Sequence, residues 1–275
     1  MSISVLERPF VRLCAIGVLL AAVFTVPFVA SAQSKDTGLV ALTILHYNDF
    51  HSQNLPFSVT KSGTGEAKQT IQVGGAAALK AYADRYRHEK PNTLLLHAGD
   101  DFQGTPVCSI TRGRSQCEIL ELIQPDAMTL GNHEFDYGRE WLKTLLPLVT
   151  FPIVSANLFD SANGVPFVPR YRVIQRGGLT IGVIGLAPVD LHRLTLRENV
   201  RGIQVLETDT AVRRAMEDVR RHFGADVIIV LSHMGIEEDT ALARRVPGID
   251  LIVGGHSHTA LFRPIRIGGT TVVQA

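Results

Sequence analysis

The stretch Ala127-Met128-Thr129-Leu130-Gly131-Asn132-His133-Glu134 joins a short apolar run directly to an amide, an imidazole and a carboxylate. Polar side chains normally avoid the ends of buried strands. A run of this kind therefore reads as a strand whose end carries chemistry, the position where open α/β sheets place their sites. Other apolar runs end in the same way, at Asp49-Phe50-His51, at Gly99-Asp100, at Ser232-His233 and at Gly254-Gly255-His256-Ser257-His258. Five of the 10 His residues fall in these clusters. The donors are mixed nitrogen and oxygen, which suits zinc, manganese, iron or cobalt better than calcium. The neighbouring glycines let the backbone turn sharply and leave room beside the main chain.

Outward from these clusters, short β-rich runs alternate with amphipathic stretches, the pattern of a layered α/β domain. Strands are predicted at Ala41–His46, Thr93–His97, Ala127–Leu130, Ile153–Ser155, Thr180–Gly185, Val227–Ser232 and Leu251–Val253. The clearest helix runs from Thr210 to Phe223. Val212, Met216, Val219 and Phe223 share one of its faces, Thr208 or Asp209 is expected to cap its start, and Gly224 to end it. Arg213, Arg214, Arg220 and Arg221 form its solvated side. Further helices begin near Gly74-Gly75 and Tyr137-Gly138, and Arg176-Gly177-Gly178 reads as a hairpin turn. Gly182-Val183-Ile184-Gly185 lies inside an apolar strand run and is not a dinucleotide fingerprint. With no internal repeat and no low-complexity linker, the chain reads as one domain or part of one.

The chain has 275 residues, 45% hydrophobic and 19% charged, a composition that excludes disorder, collagen and coiled coil. Residues 1–32 read as a signal peptide, with Arg8 and Arg12 ahead of an apolar run from Leu13 to Ala30 and a small-x-small site at Ala30-Ser31-Ala32. Residues 33–40 are a polar N-terminal segment, and residues 41–275 form the folded domain. Of 27 basic and 26 acidic side chains, Arg8, Arg12 and Glu7 leave with the leader. The mature chain is then formally neutral and lacks the electrostatic footprint of a nucleic-acid binder. Once the leader is cleaved no stable membrane anchor is expected, and the destination is the periplasm or the outside of the cell. Cys108 and Cys117, nine residues apart in an oxidising compartment, are expected to close a small disulfide loop. The final run, Thr270 to Ala275, is β-branched without a polar tail. It reads as a strand cut off in the middle of a truncated domain, with its edge unpaired.

Taken together, the motifs resemble the calcineurin-like metallophosphoesterases, and among them the secreted 5′-nucleotidase branch that includes periplasmic nucleotidases and UDP-sugar hydrolases. They stand here as Leu45-His46-Tyr47-Asn48-Asp49-Phe50-His51, His97-Ala98-Gly99-Asp100-Asp101-Phe102-Gln103-Gly104-Thr105, Gly131-Asn132-His133-Glu134-Phe135-Asp136-Tyr137-Gly138, Leu231-Ser232-His233-Met234-Gly235 and Gly254-Gly255-His256-Ser257-His258-Thr259, in the family's order. Ser155-Ala156-Asn157-Leu158 also matches, and the resemblance runs from about Leu42 to the last residue.

The resemblance implies a four-layer α/β/β/α sandwich without the C-terminal nucleotide-binding domain of the branch. It implies two divalent metal ions, with Asp100 bridging, Asp49, His51 and His258 completing one, and Asn132, His233 and His256 completing the other. Such a pair lowers the pKa of a shared water, so that hydroxide can attack phosphorus in line. His133 is implied to face the phosphate, with Asp136 holding its imidazole. The expected reaction is hydrolysis of small phosphate esters, foremost 5′-nucleotides. The alternatives are a cyclic-nucleotide phosphodiesterase, a sulfur-ester hydrolase of the same superfamily, or a non-catalytic remnant. His258 stands where several nucleotidases carry Gln, which bears on substrate rather than on metal. His46, His88, His97, His192 and His222 read as core or surface histidines, with His97 the one closest to the metal shell. Arg193, Arg197 and Arg201 read as a solvated face.

Overall fold

The computed structural model describes residues 39–61 and 69–275. The expected signal peptide and nearly all of the expected polar segment lie outside the described residues.

Two sheets organise the chain. The first is wholly parallel, in the order β1 (Thr43–Tyr47), β4 (Thr93–His97), β5 (Ala127–Thr129), β6 (Ile153–Val154). The hairpin β2 (Phe57–Lys61) and β3 (Gln69–Val73) stands apart from it, as does the antiparallel pair β7 (Leu158–Asp160) and β10 (Ile203–Val205). The second large sheet runs β13 (Ile265–Ile267), β14 (Thr270–Gln274), β12 (Leu251–Gly254), β11 (Val227–Ser232), β9 (Leu179–Leu186), β8 (Tyr171–Arg176). Its inner four strands are parallel, and β13 and β8 pair antiparallel at its edges. Each strand predicted from the sequence is present, displaced by no more than two residues at either end.

Side-chain alternation along the strands separates three cores. Leu94 and Leu96 on β4 turn away from Leu95 between them, and they pack with Ala127 of the neighbouring β5 and with Ile181, Val183, Ile229, Leu231 and Val253 from the facing sheet. Leu95 and Met128 instead meet Ala83 of α1 (Ala76–Glu89), Leu120 and Ile123 of α3 (Arg114–Ile123) and Leu142 of α4 (Arg139–Leu145). On the other sheet, Ile184, Ile228 and Val230 pack under Val212, Met216 and Val219 of α6 (Thr208–Phe223) and Leu242 of α7 (Ile236–Arg245). The layers are therefore helix, sheet, sheet, helix. Strands covered on both faces need no polar alternation, which is why they read as continuous apolar runs.

Several expectations need correction. Helix α6 begins at Thr208, and its cap is Glu207, whose carboxylate accepts the N–H groups of Asp209 and Thr210 at 2.9 and 2.7 Å. A carboxylate there satisfies two free amides and meets the positive end of the helix dipole. Gly224 ends the helix in the left-handed region, as expected. Phe223 is half exposed rather than part of the buried face. Strand β14 is not left without a neighbour, because β12 and β13 flank it on either side. The disulfide is not formed: Cys108 and Cys117 are both free. Helices α2 (Pro106–Thr111) and α3 meet at Arg112 and Gly113, and each buries its own thiol. Cys108 Sγ faces the Asp101 carbonyl oxygen at 3.9 Å. Among the described residues no helix is long and apolar enough to cross a membrane.

Candidate metal centre

Each polar cluster follows the C-terminal end of a parallel strand. Asp49 and His51 follow β1, Asp100 follows β4, Asn132 and His133 follow β5, His233 follows β11, and His256 and His258 follow β12. The first three strands belong to one sheet and the last two to the other. The centre thus lies at one end of the inter-sheet seam.

Reaching it bends the backbone. Asp49, His51, Ser52, Asp100, His256 and His258 have φ between 48° and 74°, a region that non-glycine residues rarely occupy. Local hydrogen bonds hold them there. Asp49 N donates to Gly99 O at 2.9 Å, His51 N to Asp100 O at 3.1 Å, and His256 N to Asp49 Oδ2 at 2.9 Å. Strain concentrated on one loop cluster is characteristic of functional sites.

Asp49, His51 and His258 bring one ligand atom each within 4.8 Å of one another, as do Asp100, His233 and His256, and also His51, Asp100 and His133. Asp49 Oδ1 lies 3.2 Å from His258 Nε2, 3.7 Å from His233 Nε2 and 3.9 Å from His51 Nε2. His233 Nε2 lies 3.0 Å from Asp100 Oδ2. Yet Asp49 Oδ1, Asn132 Oδ1 and His233 Nε2 are buried without a hydrogen-bond partner. Buried polar atoms are normally satisfied. Asp49 Oδ1 and His233 Nε2 lie 3.7 Å apart, and buried oxygen and nitrogen donors left without partners beside a second carboxylate fit a divalent cation.

The surroundings fix the ring orientations. His233 Nδ1 donates to Ala98 O at 2.6 Å, leaving Nε2 for the centre. His133 Nδ1 donates to Asp136 Oδ2 at 2.7 Å, which leaves its Nε2 free to act. Gly131 is required for close approach, since a Cβ there would overlap Asp100 Oδ1 and come within 2.8 Å of His233 Nε2.

Charge is balanced internally. Burial pushes the Asp100 carboxyl up, but the charge and contact of His233 and the contribution of His133 outweigh it and hold its pKa at about 2. Burial lowers the His233 imidazole, whereas Asp100 and then Asp49 raise it to about 9. The hydrogen bond to Asp136 is the main cause of a raised His133 pKa. The pocket of carboxylates thus favours positive charge.

The nine residues singled out in the sequence, Asp49, His51, Asp100, Asn132, His133, Asp136, His233, His256 and His258, all lie in or beside this cluster. Arg193 and Arg197 are exposed, as are His88, His192 and His222. His97 is fully buried, stacked on Tyr47 with centroids 4.1 Å apart and bonded to Asp101 Oδ2 at 2.8 Å. Asp101 Oδ1 in turn accepts from Gln116 Nε2 at 2.7 Å and from Ser52 N at 3.3 Å, tying the His51 loop to the Asp100 loop.

Sequence reasoning assigned no role to Glu134 or Asn48. Asn48 Nδ2 donates to Asp49 Oδ2 at 2.6 Å, while its Oδ1 accepts Ala275 N at 2.9 Å. Glu134 accepts four backbone N–H groups, from Gly131, Asp100, Asp101 and Phe102. Its place inside a quoted motif was the available signal.

Residues 42–260 match the model of the calcineurin-like phosphoesterases. The chain belongs to the calcineurin-like phosphoesterase family. This chain is 37% identical to the 5′-nucleotidase of Rattus norvegicus over 229 residues, covering 80% of this chain and 38% of that protein. Its fold superposes on the 5′-nucleotidase precursor of Thermus thermophilus with a TM-score of 0.77 at 34% identity, over 85% of this chain and 48% of that one. A sulfate thiohydrolase of Thermus thermophilus gives a TM-score of 0.76 at 25% identity, over 86% and 52% of the two chains. The chain spans about two-fifths of the length of the curated relatives it matches.

Proposed function

We propose that this chain is the metal-binding part of a hydrolase of small phosphate esters, with 5′-nucleotides as its substrate class. The observation that carries the reading is the grouping of Asp49, His51 and His258, and of Asp100, His233 and His256, at the strand ends, with Asp49 Oδ1, Asn132 Oδ1 and His233 Nε2 buried and without hydrogen-bond partners. In this reading Asp100 would be shared by two divalent cations of the zinc, manganese, iron or cobalt type. Asp49, His51 and His258 would hold one of them, and Asn132, His233 and His256 the other. When bound, the cations supply Lewis acidity toward phosphoryl oxygens and ionise a water near neutral pH.

The remaining work falls to the chain. Asn132 is a neutral ligand and leaves the centre's positive charge available to a phosphate. Asp136 holds the Nδ1 proton of His133, so His133 Nε2 hydrogen-bonds a phosphate oxygen or protonates the leaving oxygen. Domain limits follow the sequence reading, with a leader over 1–32 and a phosphoesterase domain over 41–275. The leader supports export to the periplasm or beyond the cell.

The test is turnover of AMP, 2′,3′-cyclic AMP and a thiosulfate ester by the manganese- or zinc-loaded chain. Release of phosphate from AMP, abolished in Asp100→Asn, is the expected result. Turnover of the thiosulfate ester alone would instead place the chain among sulfur-ester hydrolases. A loaded chain that turns over none of the three would be a non-catalytic remnant.

A further inference from the structure

Asp239 lies in the first turn of α7 and is fully buried. Among the described residues no cationic side chain forms an ion pair with it. Its Oδ1 accepts the hydroxyl of Ser232 at 2.5 Å. Its Oδ2 is buried without a hydrogen-bond partner and rests against Gly254, where a Cβ would overlap it. Burial pushes its pKa up to about 7. An unpaired carboxyl in such a place is unfavourable, and an apolar side chain of similar volume would fill the space more favourably. What it touches accounts for its presence.

Ser232 is the last residue of β11 and immediately precedes His233. Gly254 is the last residue of β12 and leads through Gly255 to His256. The Ser232 hydroxyl also accepts the N–H of Met234 at 3.3 Å, so it brackets His233 from both sides. Beyond Gly254, Gln274 on β14 bonds Ser257 at 3.1 Å and supports the same loop. One buried carboxyl therefore contacts both strand ends that deliver imidazoles to the Asp100, His233 and His256 group.

We propose that Asp239 is a positioning residue for the deeper cation, fixing the ends of β11 and β12 so that His233 and His256 reach the same ion as Asp100. The inference rests on the two-cation reading of the centre. It acts through the strand ends, not through contact with substrate or metal.

The experiment is a manganese- or zinc-binding isotherm on the full chain, with thermal melts of the metal-free protein alongside. Wild type, Asp239→Ala, Asp239→Asn and Ser232→Ala are compared. Asp239→Ala is expected to weaken one of two binding steps tenfold or more and to leave the other within twofold. Asp239→Asn, which keeps the shape and an acceptor for Ser232, is expected to recover most of that loss. If Asp239→Ala does not fold, Ser232→Ala removes the same contact and is expected to show the same single-site weakening. Unchanged affinities in the folded variants, or equal weakening of both steps, overturn the proposal and leave the two-cation reading intact. A wild-type chain that binds no metal overturns that reading, and the role of Asp239 with it.

Discussion

The carboxylate of Glu134 accepts the backbone N–H of Asp100 at 3.0 Å, joining the loop after β5 to the loop after β4. The same carboxylate takes the N–H groups of Gly131 at 2.6 Å and Asp101 at 2.7 Å. It is buried, and burial followed by the charge of Asp100 raises its pKa. Backbone amides satisfy it, and through them it sets the distance between Asp100 and the Asn132–His133 pair.

Glu134→Gln keeps the volume but replaces an oxygen acceptor with an amide donor facing backbone donors. Unsatisfied buried groups of this kind destabilise by about 2–3 kcal/mol. The urea midpoint of the metal-free chain is expected to fall accordingly. An unchanged midpoint would mean that the clamp carries no weight in the fold.

Gly131→Ala tests the packing of the centre more locally. The position does not need a left-handed backbone, but its Cβ would occupy the space of Asp100 Oδ1. Circular dichroism is expected to stay native while metal content drops by at least one ion per chain. Full metal content in a folded Gly131→Ala chain would show that Asp100 is not where the centre needs it.

His133→Ala is expected to lower kcat by about 10²–10⁴-fold, the range for a lost general acid, while metal content stays at the wild-type level. Asp136→Asn removes only the orienting acceptor 2.7 Å from His133 Nδ1, and a smaller loss of about 10–100-fold is expected. Equal turnover in wild type and both variants would remove the dyad from the mechanism.

Burial pushes the thiols of Cys108 and Cys117 up to about 11 and about 12. The reactive thiolate is then scarce at neutral pH. A maleimide probe is expected to leave the native chain unlabelled and to modify both residues after denaturation without reductant. A denatured chain that remained unlabelled would restore the disulfide.

The strands of the two large sheets were legible because helices or the opposite sheet cover each face, leaving runs such as Leu94-Leu95-Leu96 and Val227-Ile228-Ile229-Val230 without polar interruption. The β2–β3 hairpin was missed because Phe57, Ser58 and Thr60 face solvent and no buried face marks its period. Strands β7 and β10 have three residues each, and what defines them is their pairing with one another across the chain. The facing of the two sheets brings residues as distant as Leu96 and Leu231 into one cluster. Residue patterning does not display such distant contacts, so that feature came from family resemblance alone. At the centre, the ligand candidates stood out as polar residues at the ends of apolar runs. The supporting roles of Glu134, Asn48 and Asp239 did not, because each depends on a partner distant in sequence: Asp100 for Glu134, Ala275 for Asn48 and Gly254 for Asp239.

The central claim is tested most directly by counting divalent ions on the purified, folded, monomeric chain after exposure to manganese or zinc and removal of excess. The account predicts close to two ions per wild-type chain and a marked loss in Asp100→Asn. A folded wild-type chain that retains none, or an Asp100→Asn chain that retains both, would contradict it.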